Sequence, residues 1–249
     1  WLTILGAKVY GIGYNKNKDK NKNLFYILKL NKKIKLKYFD IRDKKKLKNF
    51  ISSNKIQILF HLAAQPLVIE SYNKPLETFN TNVLGTLHLL ECLRDIKSIK
   101  SVIIVTTDKV YKINKKNKSY KELDPLGGIE PYSVSKVGAE MVTDCYIKSF
   151  FQNSKLNNKI STARAGNVIG GGDYSNNRLL PDIINSINKK QKIMIRNPNH
   201  IRPWQHVLEP LMGYLILAKR QYENKIKNKE HAWNFGPTDK NFKRVIDVV

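Results

Sequence analysis

Cysteine is almost absent from this sequence. Cys92 and Cys145 are its only two thiols, too few for a disulfide framework and without metal-ligand spacing, so they read as structural thiols in a reducing compartment and no metal site is expected. Long hydrophobic runs are missing too. Nothing approaches the roughly 18 apolar residues that span a bilayer, so a membrane bundle is excluded and no membrane partner is expected. The opening residues, Trp1-Leu2-Thr3-Ile4-Leu5-Gly6, have neither a basic flank nor a small-residue cleavage site; no secretion signal is read, and a cytoplasmic location is expected. The chain starts without methionine and stops on Asp247-Val248-Val249, and both ends are read as truncated.

Arginine is scarce in a chain that is otherwise strongly basic. The net charge is +25, yet 37 of the 45 cationic residues are lysine and only 8 arginine, scattered along the chain among 26 asparagines. Base-reading proteins rely on the planar arginine fork for bidentate contacts. A dispersed lysine surface reads instead as solvated, and no specific nucleic-acid partner is expected. What is present is globular composition: 41% apolar and 26% charged residues over 249 positions suffice for one large or two small domains with a proper core.

Periodicity alternates between two kinds along the chain. Strands are expected over 8–14, 36–39, 56–62 (buried), 102–105, 160–165, 192–195 and 232–235. Helices are expected over 43–53, 75–94, 131–151, 179–188 and 208–219, with Pro75 and Pro131 as N-terminal starts. Residues 15–35 read as a Lys/Asn-rich loop around a short helix, and 197–203 as a Pro-containing loop. The run Val102-Ile103-Ile104-Val105 has no polar face, as suits a parallel strand covered on both sides. Strands alternating with helices predict βαβ units and an α/β, doubly wound parallel sheet of Rossmann type. The domain reading is 1–169 completed by 203–235, with 170–202 and 236–249 as a partial substrate-binding part.

Open parallel sheets bind ligands beyond the carboxyl ends of their strands, so chemistry is sought there. After the strand at 102–105 comes Thr106-Thr107-Asp108-Lys109-Val110-Tyr111, which puts a hydroxyl, a carboxylate and an amine together; by itself this also reads as loop polarity. Pro131-Tyr132-Ser133-Val134-Ser135-Lys136 places Tyr132 and Lys136 four apart, on one helix face. An ammonium there favours the phenolate and makes Tyr132 a usable general base; an exposed helix pair is the alternative. His61-Leu62-Ala63-Ala64-Gln65 ends the strand at 56–62, and its small alanines permit a flat ligand to approach the backbone. Asn82 sits in a helix despite its poor propensity, as a brace or a tolerated polar residue. Gly170-Gly171-Gly172 suits a sharp turn or close approach to a ligand. Arg196 and Arg202 fit either a diphosphate clamp or surface solvation.

Together these segments resemble the extended short-chain dehydrogenase/reductase family over roughly residues 5–237. The carrying runs are FDIRD at 39–43, FHLAAQPL at 60–67, TNVLGT at 81–86, VTTDKVY at 105–111, DPLGGIEPYSVSK at 124–136, ARAGNVIGGGD at 163–173 and IRNPNHIRPWQHVLEP at 195–210. Lys109 where most sugar-nucleotide dehydratases carry Glu, together with the Arg-Pro-Trp-Gln-His run, is similar to the branch acting on CDP-sugars.

The resemblance implies a lyase that converts CDP-glucose to CDP-4-dehydro-6-deoxyglucose by internal hydride transfer through bound NAD and loss of water. It implies catalytic roles for Thr107, Asp108, Lys109, Tyr132 and Lys136, with Lys109 as base or electrostatic stabiliser. Asp40, Ile41, Ala63, Ala64, Gln65, Asn82, Tyr132 and Lys136 are implied to hold NAD, and Asn167, Arg196 and Arg202 the CDP-sugar. A homo-oligomer is expected. Other epimerases, dehydratases or reductases of the same fold remain alternatives, as does a non-catalytic binding protein. One departure stands out: none of the 13 glycines forms the family's G-x-x-G-x-x-G turn, whose amides and helix N-terminus bind the pyrophosphate.

Overall fold

A computed structural model describes residues 1–14, 23–113, 119–226, 231–237 and 242–249. Residues 15–22 of the Lys/Asn-rich stretch read over 15–35 therefore lie outside the described residues, as do 114–118, 227–230 and 238–241. The chain divides into two compact units, one of residues 1–40, 167–207 and 237–249, the other of 41–166 and 208–236. In chain order the elements are β1 (Tyr10–Gly13), α1 (Leu24–Ile27), β2 (Lys35–Tyr38), α2 (Lys44–Ser53), β3 (Ile58–His61), α3 (Val68–Asn73), α4 (Pro75–Phe79) and α5 (Gly85–Leu93). Then follow β4 (Ser101–Val105), α6 (Pro131–Tyr146), β5 (Ile160–Ala165), β6 (Val168–Ile169), α7 (Leu179–Asn188), β7 (Ile201–Pro203), β8 (Gln205–His206), α8 (Leu208–Tyr222), β9 (Ala232–Phe235) and β10 (Phe242–Arg244).

In the first unit β1 runs parallel to β2, β6 parallel to β8, and β7 antiparallel to β10. Gly6 ends the opening turn with φ +82°, while Ala7 N–H reaches Leu2 O at 3.0 Å and Gly6 N–H reaches Thr3 O at 3.2 Å. That pair of bonds is a Schellman closure, which needs a residue at ease in the left-handed region. The strand expected at 192–195 does not form: the stretch has no ladder partner among the described residues, and Met194 is 89% exposed. An alternating run becomes a strand only where an edge is free to pair with it. Strand β7 forms instead inside the stretch expected to be a loop, because Phe242–Arg244 offers such an edge.

The second unit is built on one sheet in the order β3-β4-β5-β9, all parallel. Val102, Ile103 and Ile104 are each at most 1% exposed, as a strand apolar on both faces requires. Ala163 packs against Tyr214 and Leu217 of α8, while Thr162 and Arg164 on either side bond to Glu140 of α6. Successive strand residues point to opposite faces, so α6 and α8 cover opposite sides of the sheet. The expectation of a buried strand at 56–62 needs correcting: β3 lies at the margin of this sheet, and Ile58 and Leu62 are 40% and 55% exposed.

The helix expected over 75–94 is interrupted by a π-helical turn, Asn80–Leu84, closed by Gly85 N–H on Asn80 O. The helix expected over 131–151 likewise ends in a π-helical turn, Ile147–Phe151. No described helix is long and apolar enough to cross a membrane.

Candidate active site

Helix α6 begins on a capping box. Glu130 accepts from Ser133 N–H at 2.9 Å, and Ser133 Oγ accepts from Glu130 N–H at 3.2 Å. Pro131 occupies the first turn, where its missing N–H is harmless. Gly128 packs so tightly on this turn that a Cβ would sit 2.5 Å from Val134 N. The chain is thereby held in one path into Tyr132, whose N–H donates to Ser71 Oγ at 3.1 Å.

One turn on, the Lys136 ammonium donates to Val105 O at 3.0 Å, at the carboxyl end of β4. Burial lowers its pKa to about 8, with the Glu140 carboxylate pulling the other way. At neutral pH Lys136 therefore remains mostly charged yet gives up its proton more easily than an ordinary lysine.

Beyond β4 the chain turns through Asp108–Val110, which packs directly against α6. Thr107, 7% exposed, donates from Oγ1 to Asp108 Oδ1 at 3.1 Å and accepts from Lys109 N–H at 3.4 Å. Lys109 Nζ lies 4.0 Å from Glu130 Oε1 with its side chain 44% exposed. The five residues expected to carry catalysis, Thr107, Asp108, Lys109, Tyr132 and Lys136, thus sit on two segments packed together at one end of the sheet.

A second set of bonds ties β3 to the same helix. His61 and Thr86 are joined at 3.0 Å, and Thr86 Oγ1 donates to Asn82 O at 2.7 Å. The threonine proton is committed to that carbonyl, so His61 Nε2–H is the donor. Burial, and then the charge of Lys136, lowers the His61 pKa to about 3. Asn82, 1% exposed, pairs with the Gln65 backbone through both Oδ1 and Nδ2, and Nδ2 also donates to Ser135 Oγ at 2.8 Å. Ser135 Oγ donates in turn to Tyr132 O at 2.6 Å. Asn82 thus braces the β3 loop against the start of α6 from beneath the surface. The Gln65 side chain is engaged by Leu67 and Thr78. Ala63 stays exposed, beside exposed Leu62.

The remaining expected residues divide between the units. Ile41 belongs to the second and packs closely enough on Gly85 that a Cβ there would lie 2.5 Å from Ile41 Cδ1. Asp40, Asn167, Arg196 and Arg202 belong to the first. There Arg202 Nη2 meets His200 Nδ1 at 2.9 Å, Arg196 Nη2 donates to Asn177 Oδ1 at 3.3 Å, and Asn167 O accepts from Gln205 N–H at 3.2 Å.

The sequence reading missed a buried polar cluster behind these groups. Glu140 accepts from Thr106, Thr162 and Arg164, and Arg164 Nη1 donates to Tyr111 OH at 2.8 Å and Glu122 O at 2.9 Å. A signal was available: an arginine inside a strand otherwise built for burial demands a partner, and Glu140 follows Lys136 at helical spacing.

The family model for GDP-mannose 4,6 dehydratase matches residues 1–246. CDP-glucose 4,6-dehydratase from Salmonella typhimurium is 46% identical over 252 residues, which is all of this chain and 69% of that protein. UDP-glucose 4-epimerase from Mycoplasma genitalium is 26% identical over 218 residues, 81% of this chain and 62% of its own length. Among solved structures, dTDP-glucose 4,6-dehydratase from Bacillus anthracis in complex with NAD superposes with a TM-score of 0.79 at 22% identity, over 97% of this chain and 70% of that one. UDP-glucuronic acid 4-epimerase from Bacillus cereus, in complex with UDP-glucuronic acid and NAD, gives 0.80 at 20% identity over 100% and 74%. At such identities the structures speak for the fold, a Rossmann-type α/β sheet.

Proposed function

The chain belongs to the GDP-mannose 4,6-dehydratase family, and from that premise we propose that it is an NAD-dependent lyase that dehydrates CDP-glucose to CDP-4-dehydro-6-deoxyglucose. The observation that carries the reading is identity of 46% along the whole chain with a CDP-glucose 4,6-dehydratase, in a chain whose Thr107–Lys109 turn packs against the helix bearing Tyr132 and Lys136.

In this reading the Lys136 ammonium, tethered to Val105 O, stabilises Tyr132 as a phenolate, which takes the proton of the sugar 4-hydroxyl and becomes the neutral phenol. Thr107 holds the same hydroxyl. Once C4 is a ketone the C5 proton becomes acidic. Lys109 removes it or stabilises the charge it leaves, and Asp108 protonates the departing 6-hydroxyl.

NAD, when bound, supplies the hydride acceptor that becomes the donor later in the same turnover. Asp40, Ile41, Ala63, Ala64, Gln65, Tyr132 and Lys136 are proposed to hold it, with Asn82 supporting their loop from below. The fit rests on the exposed apolar shelf of Leu62 and Ala63 at the end of β3, where a flat ring can lie. No residues are assigned to the pyrophosphate, because the Gly-rich run that would hold it does not occur in the sequence. On the first unit, Asn167, Arg196 and Arg202 are proposed to contact the sugar diphosphate.

The proposal includes a cytoplasmic enzyme, which the free thiols Cys92 and Cys145 suit. It also includes self-association. Incubation of the protein with CDP-glucose and NAD⁺, followed by detection of a 4-keto-6-deoxy product, tests the reading. Turnover of GDP-mannose or dTDP-glucose in its place would move the substrate to another nucleotide. A 4-epimerase, the activity of the Mycoplasma relative, would return a C4 epimer and need no acid at Asp108.

A further inference from the structure

Behind the site, on the other face of the sheet, lies a phenol with no hydrogen-bond partner among the described residues. Tyr214 of α8 is 5% exposed and sets its ring edge-on to Phe235, with centroids 5.1 Å apart at 87°. Gly213 makes the approach possible, since a Cβ there would lie 2.3 Å from the Phe235 ring. Ile103, Ala163, Leu217 and Ala218 belong to the same apolar cluster, with Val105 and Ala165 packed against it. Among the described residues the Tyr214 hydroxyl makes no hydrogen bond, and it is not one of the two sealed unpaired side-chain atoms, Ser98 Oγ and Trp233 Nε1. It therefore opens onto space that solvent can enter. A buried hydroxyl left without a protein partner is costly unless something else fills its bond.

The direction of that opening follows from the helix. Gln221, in the last turn of α8, bonds to Ser101 and Ser161 at the starts of β4 and β5, so α8 runs antiparallel to the strands. Tyr214 precedes Gln221 by seven residues, a rise of about 10 Å, against about 13 Å for the four steps of β4. Long helical side chains lean toward the helix N-terminus. The phenol thus reaches for the carboxyl ends of the strands, the edge that carries Thr107 and over which parallel sheets bind ligands. The Tyr132 phenol lies near enough to raise the Tyr214 pKa, although burial contributes more, and both effects keep the hydroxyl protonated as a donor.

We infer that Tyr214 is a further ligand-binding residue, whose hydroxyl donates to an oxygen acceptor beside the one engaged by Tyr132. The acceptor belongs to the hexose or to the cofactor carboxamide; the inference rests on the sugar-nucleotide reading above. Tyr214→Phe removes one oxygen and keeps the ring packing. It should leave the melting temperature near that of the parent and lower affinity by about 3- to 10-fold, the worth of one neutral hydrogen bond. A loss in kcat/KM for CDP-glucose with unchanged NAD⁺ binding in calorimetry assigns the acceptor to the sugar; an equal loss in NAD⁺ affinity assigns it to the cofactor. Both quantities within twofold of the parent would overturn the inference.

A readout independent of turnover is ¹⁹F NMR of the protein labelled with 3-fluorotyrosine, with Tyr214→Phe identifying the resonance. The Tyr214 signal should move on addition of CDP-glucose or NAD⁺. If it stays fixed while the Tyr132 signal moves, the assignment fails and the catalytic reading survives. If the parent turns over no sugar nucleotide, the catalytic reading fails, and a Tyr214 signal that still responds to ligand upholds the binding role.

Discussion

Arg164 Nη2 lies 2.8 Å from Glu140 Oε2, with both side chains only 4% exposed. The pair joins the carboxyl end of β5 to the helix bearing Tyr132 and Lys136. The same carboxylate accepts from Thr106, the residue before Thr107. Burial opposes the charge on Arg164, but Glu140 and then Tyr111 more than offset it and hold the guanidinium ionised. The strand ends and the helix bearing Tyr132 and Lys136 are therefore registered to one another by a single buried carboxylate, one helical turn from Lys136.

Glu140→Gln leaves Arg164 buried without its counter-charge. Removing one partner of such a pair costs about 3–5 kcal/mol, to be read as a lowered midpoint in urea unfolding. Replacing both residues with apolar ones of similar size, Glu140→Leu with Arg164→Met, should recover much of that loss. An equal loss in both variants would show that the pair does not act as a unit.

Tyr132→Phe should abolish detectable product from CDP-glucose while NAD⁺ binding, followed by calorimetry, persists. The hydroxyl is the proposed proton acceptor, and its removal leaves the backbone bonds to Ser71 and Ser135 intact. Product at the parental rate would remove Tyr132 from the mechanism.

Asp108→Asn should cut product formation by about 100-fold or more, the usual worth of a positioned acid. It should still allow deuterium from solvent to enter C5, because the earlier steps do not use the carboxylate. Loss of exchange together with product would place Asp108 before the elimination.

His61 makes the fold acid-sensitive, and the sign can be worked out. Its pKa falls from 6.5 to about 3 on folding, so between those values the unfolded chain binds the proton and the folded one does not. Stability therefore declines as pH drops below about 6.5, by up to about 1.4 kcal/mol per unit from this group. His61→Gln, which keeps a donor toward Thr86, should flatten the dependence of melting temperature on pH between 6.5 and 4. An unchanged slope would assign the effect to other groups.

Sequence by itself was enough for the elements whose reason is local. The apolar run at 102–105 marks a strand because side-chain pattern is a property of neighbours. The helix Leu179–Asn188 lies where three- and four-residue spacing places it. The groups proposed to react, Thr107-Asp108-Lys109 and Tyr132…Lys136, stand out as candidates in the sequence because each set lies within one turn of chain.

Tertiary structure alone decided what those groups lean on. The Glu140–Arg164, Asn82–Ser135 and Ser101–Gln221 bonds join residues 24, 53 and 120 positions apart. No local period encodes such a partner. It also decided that 192–195 is not a strand, since a strand exists only with an edge to pair, and that Tyr214 is buried edge-on against Phe235 with its hydroxyl unpaired among the described residues. Burial is set by the whole packed chain, and burial is what turns a tolerated polar residue into one that must find a partner.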